Sequence, residues 1–261
     1  MSASKSDSHM QGRVIWITGA SSGIGKALTR QLVQHNQVIA TARSEDKLAQ
    51  LQAEMPQLKI IPADVTQPDQ LAAAAQQIET DFGHLDLLIA NAGHCEYLDV
   101  RQFDSALVRR MMEVNFMGFI HTLEVALPLL RRSRYPQLAA MSSSSVYAGL
   151  PRAEAYSASK AAITQFMESL AADLRPEGFS LSVIHPGFVD TDLTRNNNFP
   201  MPLIMAPDQA ASRIIRGLAR QRFNIDFPKG LTWTLRFLKT IPYVLRHRIT
   251  ASMSRNTQHE S

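Results

Sequence analysis

Three residues in the middle of the chain could carry out proton chemistry. Tyr156 and Lys160 lie four residues apart in the run YSASK, and Ser143 lies thirteen residues before Tyr156 in a serine-rich stretch. A phenol with an ordinary pKa of about 10 is a poor proton donor or base near neutral pH, whereas an ammonium beside it stabilises the phenolate and lowers that pKa. Residues i and i+4 share one helix face, so this spacing places Lys160 where it can act on Tyr156.

Two alternatives stay open when these residues are taken alone. Tyrosine and lysine also meet at this spacing by chance on many solvated helices. The four hydroxyls of residues 142–145 lie in one stretch, so chemistry does not distinguish them, and a solvated serine loop is the alternative. The significance of the set therefore depends on the other motifs of the chain.

A glycine-rich turn upstream indicates phosphate binding. The run TGASSGIG places Gly19, Gly23 and Gly25 after an apolar strand and before a helical stretch. The missing side chains let the turn close tightly and let a pyrophosphate approach the backbone N–H groups at the positive end of the helix. An ordinary glycine turn is the alternative. The side chains or backbone of Thr18, Ser21, Ser22 and Ile24 would line this turn.

The elements that must position these motifs alternate regularly between strand and helix. Apolar runs predict strands at 13–18, 38–42, 59–62, 85–90, 137–141, 180–185 and 224–227. Helical periodicity covers 24–35, 45–54, 68–82, 105–132, 156–174 and 207–222. Repeated alternation with buried strands predicts an α/β fold of the doubly wound (Rossmann) type, three layers with a mainly parallel, seven-stranded sheet. Ligands bind such sheets at the carboxyl ends of the strands.

Length and composition favour a single domain. With 261 residues, 45% of them hydrophobic, the chain can bury a large core. We assign 12–228 to a dinucleotide-binding and catalytic domain and 229–261 to a basic amphipathic extension of it, disordered at its end. Residues 1–11 are expected to be a flexible segment, either native or in part a cloning remnant. The absence of an apolar leader or a long apolar run predicts a cytoplasmic protein.

Charge and cysteine content exclude several classes of function. The 27 basic residues exceed the 23 acidic ones by only four, which falls short of a nucleic-acid signature. The single cysteine, Cys95, cannot form an internal disulfide, and it is interpreted as a pocket-wall or packing residue rather than a reactive thiol. His94 and His185 flank the predicted site, but both are interpreted as structural. No spacing suggests a metal site.

The motifs together resemble the short-chain dehydrogenase/reductase family. TGASSGIG, ANAG at 90–93, the Ser143 turn, YSASK and HPGFVDT at 185–191 occur in the order typical of that family, over roughly 12–228. The resemblance implies that Ser143 hydrogen-bonds the substrate oxygen and that Tyr156 exchanges a proton with it. It also implies that Lys160 lowers the tyrosine pKa and holds the nicotinamide ribose, and that Asn115 orients a water in the proton relay.

The same resemblance implies a nicotinamide dinucleotide as cofactor. Arg43 follows the second strand where an acidic residue would favour NAD, so NADP is expected and NAD is less favoured. A solvated charge at the start of a helix is the alternative interpretation of Arg43. Ser22 stands where many NADP-using relatives have a second basic residue, and Ala90 replaces the first asparagine of the usual NNAG. The predicted cofactor-binding residues are Gly19, Ser21, Ser22, Gly23, Ile24, Gly25, Arg43, Asp64, Val65, Asn91, Ala92, Gly93, Tyr156, Lys160, Pro186, Gly187, Val189 and Thr191.

These observations predict an enzyme that uses NADPH to reduce a ketone or aldehyde, or that runs the reverse alcohol oxidation. A non-catalytic NADP(H)-sensing or scaffold protein is the alternative. The apolar loop 187–206 is either a lid over an apolar substrate or a packing element. The basic amphipathic stretch 231–249 either contacts a membrane, which would suit a lipid-like substrate, or packs on the body or on a second subunit. A homo-oligomer of two or four subunits is expected from the resemblance.

Overall fold

Seven parallel strands form the central sheet of the computed structural model, which describes residues 10–195, 197 and 201–252. Their order is β3-β2-β1-β4-β5-β6-β7, with a crossover from the β3 edge back past β1 to β4. The predicted doubly wound parallel sheet is therefore confirmed. The strands are β1 Val14–Thr18, β2 Gln37–Thr41, β3 Lys59–Ile60, β4 Leu87–Ala90, β5 Gln137–Met141, β6 Ser180–Pro186 and β7 Asn224–Phe227.

Helices cover both faces of this sheet. Ser44 caps the second helix by accepting a hydrogen bond from the Lys47 N–H, and Pro68 and Pro207 open the third and eighth, where a missing N–H costs nothing. The helices are α1 Gly23–Leu32, α2 Glu45–Glu54, α3 Pro68–Phe82, α4 Ser105–Met111, α5 Gly118–Leu130, α6 Glu154–Leu174, α7 Asp192–Arg195, α8 Pro207–Ala219, α9 Lys229–Thr240 and α10 Tyr243–Ser252.

The alternation of side chains along β1 divides the core into two halves. Ile15 and Ile17 belong to a cluster that packs under α1, α2 and α8, whereas Val14 and Trp16 belong to a cluster under α3, α5 and α6. All residues of β1 are buried, as expected for a parallel strand covered on both sides. Burying both faces stabilises the central strands and so fixes the positions of their carboxyl ends.

Helices α1 and α8 are far apart in sequence but pack side by side on one face. The Gln31 amide of α1 donates to the Asp208 carbonyl oxygen at 3.0 Å, and its oxygen accepts from the Ser212 hydroxyl at 2.9 Å. Leu28 and the α8 residues Ile214 and Leu218 belong to one buried apolar cluster, which completes the junction. The helix that starts at the glycine turn is therefore supported by a helix from the last third of the chain.

The long helix predicted over 105–132 is helical from 105 to 130, but it is not α-helical throughout. A π-helical segment, Met112–Met117, lies between α4 and α5. Such a segment inserts an additional residue into the helical turn, which redirects the side chains within it. Asn115 is one of these redirected side chains, and it is fully buried. The third strand is also shorter than predicted, ending at Ile60.

The C-terminal extension divides as its proline suggests. Helix α9 ends at Thr240, and α10 starts after Pro242. Residues 1–9 of the predicted flexible N-terminal segment lie outside the described residues. The predicted disordered end beyond Ser252 also lies outside them. The division of the chain at residues 11 and 228 stays a prediction.

Candidate active site

The carboxyl ends of the strands open into one cavity of about 1160 Å³. It extends from the glycine turn, past the ends of β4 and β5, to α9. Every predicted site residue except Gly25 and Asn115 lines it. These lining residues are Gly19, Ser21, Ser22, Gly23, Ile24, Arg43, Asp64, Val65, Asn91, Ala92, Gly93, Ser143, Tyr156, Lys160, Pro186, Gly187, Val189 and Thr191.

The glycine turn needs its glycines for two different reasons. Gly19 has φ +65° and Gly23 has φ +51°, a region that L side chains rarely adopt. A Cβ atom on Gly19 would also lie 2.7 Å from the Ala92 Cα, and one on Gly25 would collide with the Gly19 carbonyl oxygen. Gly25 therefore acts from beneath the turn by allowing it to close, although it does not line the cavity.

Asn91 holds the glycine turn to the end of β4. Its side-chain amide donates to the carbonyl oxygens of Thr18 and Gly19 at 3.0 and 3.1 Å. The Thr18 hydroxyl in turn accepts from the backbone N–H groups of Asn91 and Ala92. This exchange fixes the turn without using the Ala90 side chain, so the alanine at that position leaves the connection intact.

Charged groups lie at the end of the cavity near β2 and β3. The Arg43 guanidinium is 70% exposed and stands 4.0 Å from the Asp64 carboxylate. The Asp64 side chain is oriented by hydrogen bonds from the Thr66 N–H and hydroxyl, both at 2.9 Å. Asp64 is therefore fixed, whereas the exposed arginine is free to turn toward an anionic group in the cavity.

Tyr156 and Lys160 lie one turn apart on α6, with Ser143 opposite them at the end of β5. The Lys160 ammonium is buried and donates to the Met141 carbonyl oxygen at 2.9 Å. The Ser143 oxygen accepts from the Ser145 N–H at 3.2 Å. The Ser142 hydroxyl instead faces α6, where it donates to the Lys160 carbonyl oxygen at 3.0 Å. Of these two serines, Ser143 is the one adjacent to the phenol.

Burial controls the electrostatics of this group. It raises the pKa of Tyr156 above the ordinary value of a phenol; the neighbouring Cys95 acts in the same direction, and a hydrogen bond with Ser143 opposes it. Burial also lowers the pKa of Lys160 to about 8. In the protein alone, the tyrosine pKa therefore moves opposite to the direction expected from a nearby ammonium.

Asn115 lies behind the cavity wall instead of on it. Its amide nitrogen donates to the His94 carbonyl oxygen and the Ser159 hydroxyl, both at 2.9 Å, and its oxygen accepts from the His94 N–H at 2.7 Å. A Cβ atom on Gly93 would lie 3.0 Å from the Lys160 nitrogen and 3.1 Å from the Asn115 oxygen. Glycine at this position thus lets the amide and the ammonium approach the same stretch of backbone.

The remaining wall of the cavity is mainly apolar. Sequence reasoning missed Tyr97, Leu150, Leu231 and Leu235, which line it together with Phe188, Leu193 and Pro202. Only the spacing of Leu231 and Leu235, one turn apart on a helix, could have indicated a shared face. Cys95 also lines this wall, and burial raises the pKa of its thiol to about 11. This agrees with its interpretation as a pocket-wall residue.

The apolar loop after β6 is closed at its base. The Met205 N–H donates to the Phe188 carbonyl oxygen at 3.0 Å, and the Asp190 N–H donates to the Met205 carbonyl oxygen at 2.9 Å. Pro202 lines the cavity, whereas Leu203 and Ile204 are exposed and Met205 is buried. The loop thus contributes several wall residues, most of them from its first half, but its predicted lid role stays a prediction. Phe199 and Pro200 lie outside the described residues.

A polar network connects α9 to the serine turn. The Tyr147 hydroxyl donates to Asp226 Oδ1 at 2.7 Å and accepts from the Arg236 guanidinium at 2.8 Å, and Arg236 also pairs with Asp226 Oδ2 at 3.0 Å. His185 lies beside Asp226, with its Nδ1 3.4 Å from the carboxylate, and its Nε2 is 3.3 Å from the Thr164 hydroxyl. Sequence reasoning missed this network because its members come from separate elements.

A nicotinamide dinucleotide fits the residues that line the cavity. The glycine turn presents backbone close to the start of α1, where a pyrophosphate is favoured. Added Cβ atoms at Gly19, Gly93 and Gly187 would each meet neighbouring atoms at 3.0 Å or less, so the cavity's shape depends on bare backbone at points along its length. Its volume exceeds that of a typical small-ligand pocket. Among the described residues, no cluster of three or more His, Cys, Asp or Glu could hold a metal ion.

Comparison with known proteins agrees with this geometry. The sequence profile described as short chain dehydrogenase matches residues 13–201. An uncharacterized oxidoreductase of Myxococcus xanthus is 34% identical over 89% of this chain and 94% of its own length. The 11-beta-hydroxysteroid dehydrogenase 1A of Arabidopsis thaliana is 33% identical over 84% of this chain and 69% of its own length.

Solved structures share the fold as well. The crystal structure of a short chain dehydrogenase from Burkholderia cenocepacia, in complex with NADP, superimposes with a TM-score of 0.81 at 26% identity, covering 92% of this chain and 98% of that one. A short-chain dehydrogenase from Streptomyces avermitilis gives a TM-score of 0.77 at 23% identity, covering 95% and 99%.

Proposed function

The chain belongs to the short-chain dehydrogenase family of oxidoreductases, and on that premise we propose that it uses NADP(H) to interconvert a carbonyl group and an alcohol. The observation that carries the proposal is the placement of Ser143, Tyr156 and Lys160 on the wall of the cavity that also contains the glycine turn. A proton-exchanging group and a dinucleotide cradle in one cavity are the two parts that such a reaction needs.

The bound cofactor would supply or accept the hydride. Reduction develops negative charge on the carbonyl oxygen, so a hydroxyl must polarise that oxygen and a second group must provide a proton. We assign the first task to Ser143 and the second to Tyr156. Lys160 would hold the nicotinamide ribose and favour the ionised phenol. Asn115 would orient a water for the relay through its position behind Gly93.

Replacing Tyr156 by phenylalanine tests the proton-transfer role. Because general acid–base catalysis contributes about 10² to 10⁴ in rate, turnover should fall by that factor while NADPH affinity, measured by cofactor fluorescence, stays within about twofold. Tyr135→Phe is the matched control, because that tyrosine is exposed and outside the cavity. Turnover that survives Tyr156→Phe would remove the basis of the mechanism.

The preference for NADP over NAD rests on Arg43. Its exposed guanidinium lines the cavity end next to Asp64, and the Burkholderia relative of similar fold contains NADP. A hydrogen bond to a charged group contributes about 1.5 to 3 kcal/mol, so Arg43→Ala should weaken NADPH binding by about tenfold to a hundredfold. NADH binding should change little. Equal losses for the two cofactors would count against the assignment.

An apolar or lipid-like molecule is the substrate class that we propose. The cavity that contains Tyr156 is also lined by apolar side chains such as Leu150, Leu231 and Leu235, and several relatives are named hydroxysteroid dehydrogenases. A screen of ketones, aldehydes and alcohols with both cofactors tests this class. We expect KM to fall as the apolar part of the substrate grows, and a preference for small polar carbonyls would contradict it.

A non-catalytic NADP(H)-sensing or scaffold protein is the second candidate. The observation that favours it is the pKa of Tyr156, which burial raises above the ordinary value of a phenol. A phenol with a raised pKa gives up its proton less readily. The same substrate screen separates the two: a sensor binds NADPH without oxidising it, whatever carbonyl compound is added. The proposed enzyme oxidises NADPH in proportion to the carbonyl compound reduced.

We further propose that the protein acts in the cytoplasm as a homo-oligomer of two or four subunits. Sedimentation equilibrium would measure the subunit number, and a concentration-independent monomer would contradict it. Among the described residues no helix has the length and apolar character needed to cross a membrane. Contact of the C-terminal helices with a membrane surface is developed below.

A further inference from the structure

The C-terminal helices expose large apolar side chains on one surface. Trp233 and Phe237 lie one turn apart on α9, and each is 69% exposed. Gly230 lies one turn before Trp233, and a Cβ atom there would be 3.5 Å from the Leu203 side chain, which is itself exposed. Leu203, Trp233 and Phe237 therefore follow one line, which we call the apolar stripe. Exposed apolar surface of this kind marks a contact site.

The surrounding charge is of one sign. Residues 229–252 contain five basic residues and no Asp or Glu, so this segment carries more positive charge than the net +4 of the whole chain. Arg236 is neutralised by Asp226. The other four are Lys229, Lys239, Arg246 and Arg248. A partner for this surface must therefore be anionic and must offer an apolar phase for the aromatic side chains.

A cleft of about 360 Å³ lies between these helices and the serine turn. Lys239, Arg246, His247 and Thr250 line it, together with residues 146–149 of the serine turn. Arg246 is held in place, because its guanidinium lies over the Tyr243 ring at 5.4 Å and donates to the Lys239 carbonyl oxygen at 3.3 Å. With cations, a hydroxyl and no carboxylate on its walls, the cleft suits a phosphate group.

We propose that this surface docks on an anionic lipid bilayer. The apolar stripe enters the interfacial region, and lipid phosphates neutralise the exposed cations of the two helices. An amphipathic segment with aromatic and basic residues is suited to this role. A second copy of the chain is the poorer occupant, because a two-fold contact would bring the same unneutralised cations together.

The location of this surface connects it to the candidate active site. The opposite face of α9 presents Leu231 and Leu235 to the main cavity. When the protein is docked on a bilayer, the apolar end of that cavity would therefore lie next to the lipid. This link to substrate rests on the proposed function, whereas docking itself does not.

Vesicle sedimentation of the full chain tests the docking. Wild type should bind vesicles that contain phosphatidylglycerol but not pure phosphatidylcholine, and 0.5 M salt should release it. Trp233→Ala with Phe237→Ala should weaken binding by about tenfold or more, because each aromatic side chain loses a large buried area. Phe103→Ala is the matched control, because Phe103 is exposed to a similar degree elsewhere.

Substitutions of two arginines of α10 distinguish binding of phosphate in the cleft from general charge attraction. Arg246 lines the cleft and Arg248 does not. Loss of one surface charge near an anionic membrane should weaken binding about fivefold, which Arg248→Gln measures. Arg246→Gln should weaken vesicle binding by clearly more than fivefold. Lys239→Gln should do the same, and this second variant shows that the loss does not come from a folding defect in the arginine variant. Equal losses in all three variants would overturn the phosphate site.

The remaining outcomes distinguish the sources of failure. Wild type that does not bind phosphatidylglycerol vesicles overturns the docking, even if NADPH-dependent turnover is normal. Self-association abolished by Trp233→Ala would assign the apolar stripe to a second copy instead. If inorganic phosphate raises the melting temperature in the absence of vesicle binding, the cleft serves a soluble phosphate compound and the membrane proposal is wrong. Vesicle binding by a catalytically inactive protein would leave docking intact and refute only the proposed function.

Discussion

Protonation of His185 should destabilise the folded protein between pH 6.5 and pH 4. The side chain is 1% exposed, and burial lowers its pKa from 6.5 to about 4, with Asp226 opposing that shift and Arg236 and Lys239 adding to it. Because the unfolded chain binds this proton more readily than the folded one, stability rises with pH across that window and is lost as the pH falls. The Tyr147 ring and the Thr164 hydroxyl are its other neighbours.

The size of the effect follows from the pKa difference. A shift of about 2.5 pKa units corresponds to about 3 kcal/mol at the acid limit, and about 2 kcal/mol of this develops between pH 7 and pH 5. Other groups also titrate in this range, so the histidine must be isolated by comparison with a variant. His185→Gln removes the titration but keeps a polar side chain of similar size.

Urea unfolding followed by the fluorescence of the buried Trp16 supplies the assay. Between pH 7 and pH 5, wild type should lose about 2 kcal/mol more unfolding free energy than His185→Gln. Circular dichroism on the same samples controls for any signal from the exposed Trp233. Parallel pH profiles for the two proteins would show that His185 is not held neutral by the fold, and the reasoning from its burial would be refuted.

Three further predictions concern other parts of the chain. Gly25→Ala should abolish NADPH binding or folding, because the added Cβ would collide with the Gly19 carbonyl oxygen, and retained binding in a fluorescence titration would contradict the described turn. Cys95 should react with iodoacetamide at pH 8 about a hundredfold more slowly than free cysteine, because its pKa is raised to about 11; a rate near that of the free thiol would be the contrary result. Asp226→Asn and Arg236→Gln should be non-additive by about 1 kcal/mol in a double-mutant cycle of unfolding free energies, because their side chains pair at 3.0 Å, and simple additivity would show that the ion pair contributes nothing.

Features encoded locally could be predicted from the sequence. Residues 14–17 of β1 are all apolar because both faces of the strand are buried, and the glycines after it are required by backbone conformation and close contact. The same reasoning located all seven strands. The candidate site followed for a related reason: the carboxyl ends of parallel strands share one edge of the sheet, so motifs just after strands meet there.

Features created by contacts between distant residues could not be predicted. The π-helical segment redirects Asn115 toward the backbone of His94 and the hydroxyl of Ser159, and nothing in the periodicity of 105–132 indicates that partner. Likewise, Tyr147, Asp226 and Arg236 look like isolated polar residues until β7 and α9 bring them together. The chemical roles assigned to the lining residues stay predictions, because they depend on measurements of activity.

The junction between α1 and α8 has a consequence for the order in which the protein can mature on the ribosome. Helix α1 and its glycine turn are among the first parts to be synthesised, but the partner of Gln31 on α8, Ser212, follows 181 positions later. During most of translation the face of α1 that packs against α8 is therefore an uncovered apolar surface that nascent-chain chaperones could bind. The glycine turn and α1 therefore gain their full support only near the end of synthesis. A truncated chain that stops before α8 should not retain cofactor.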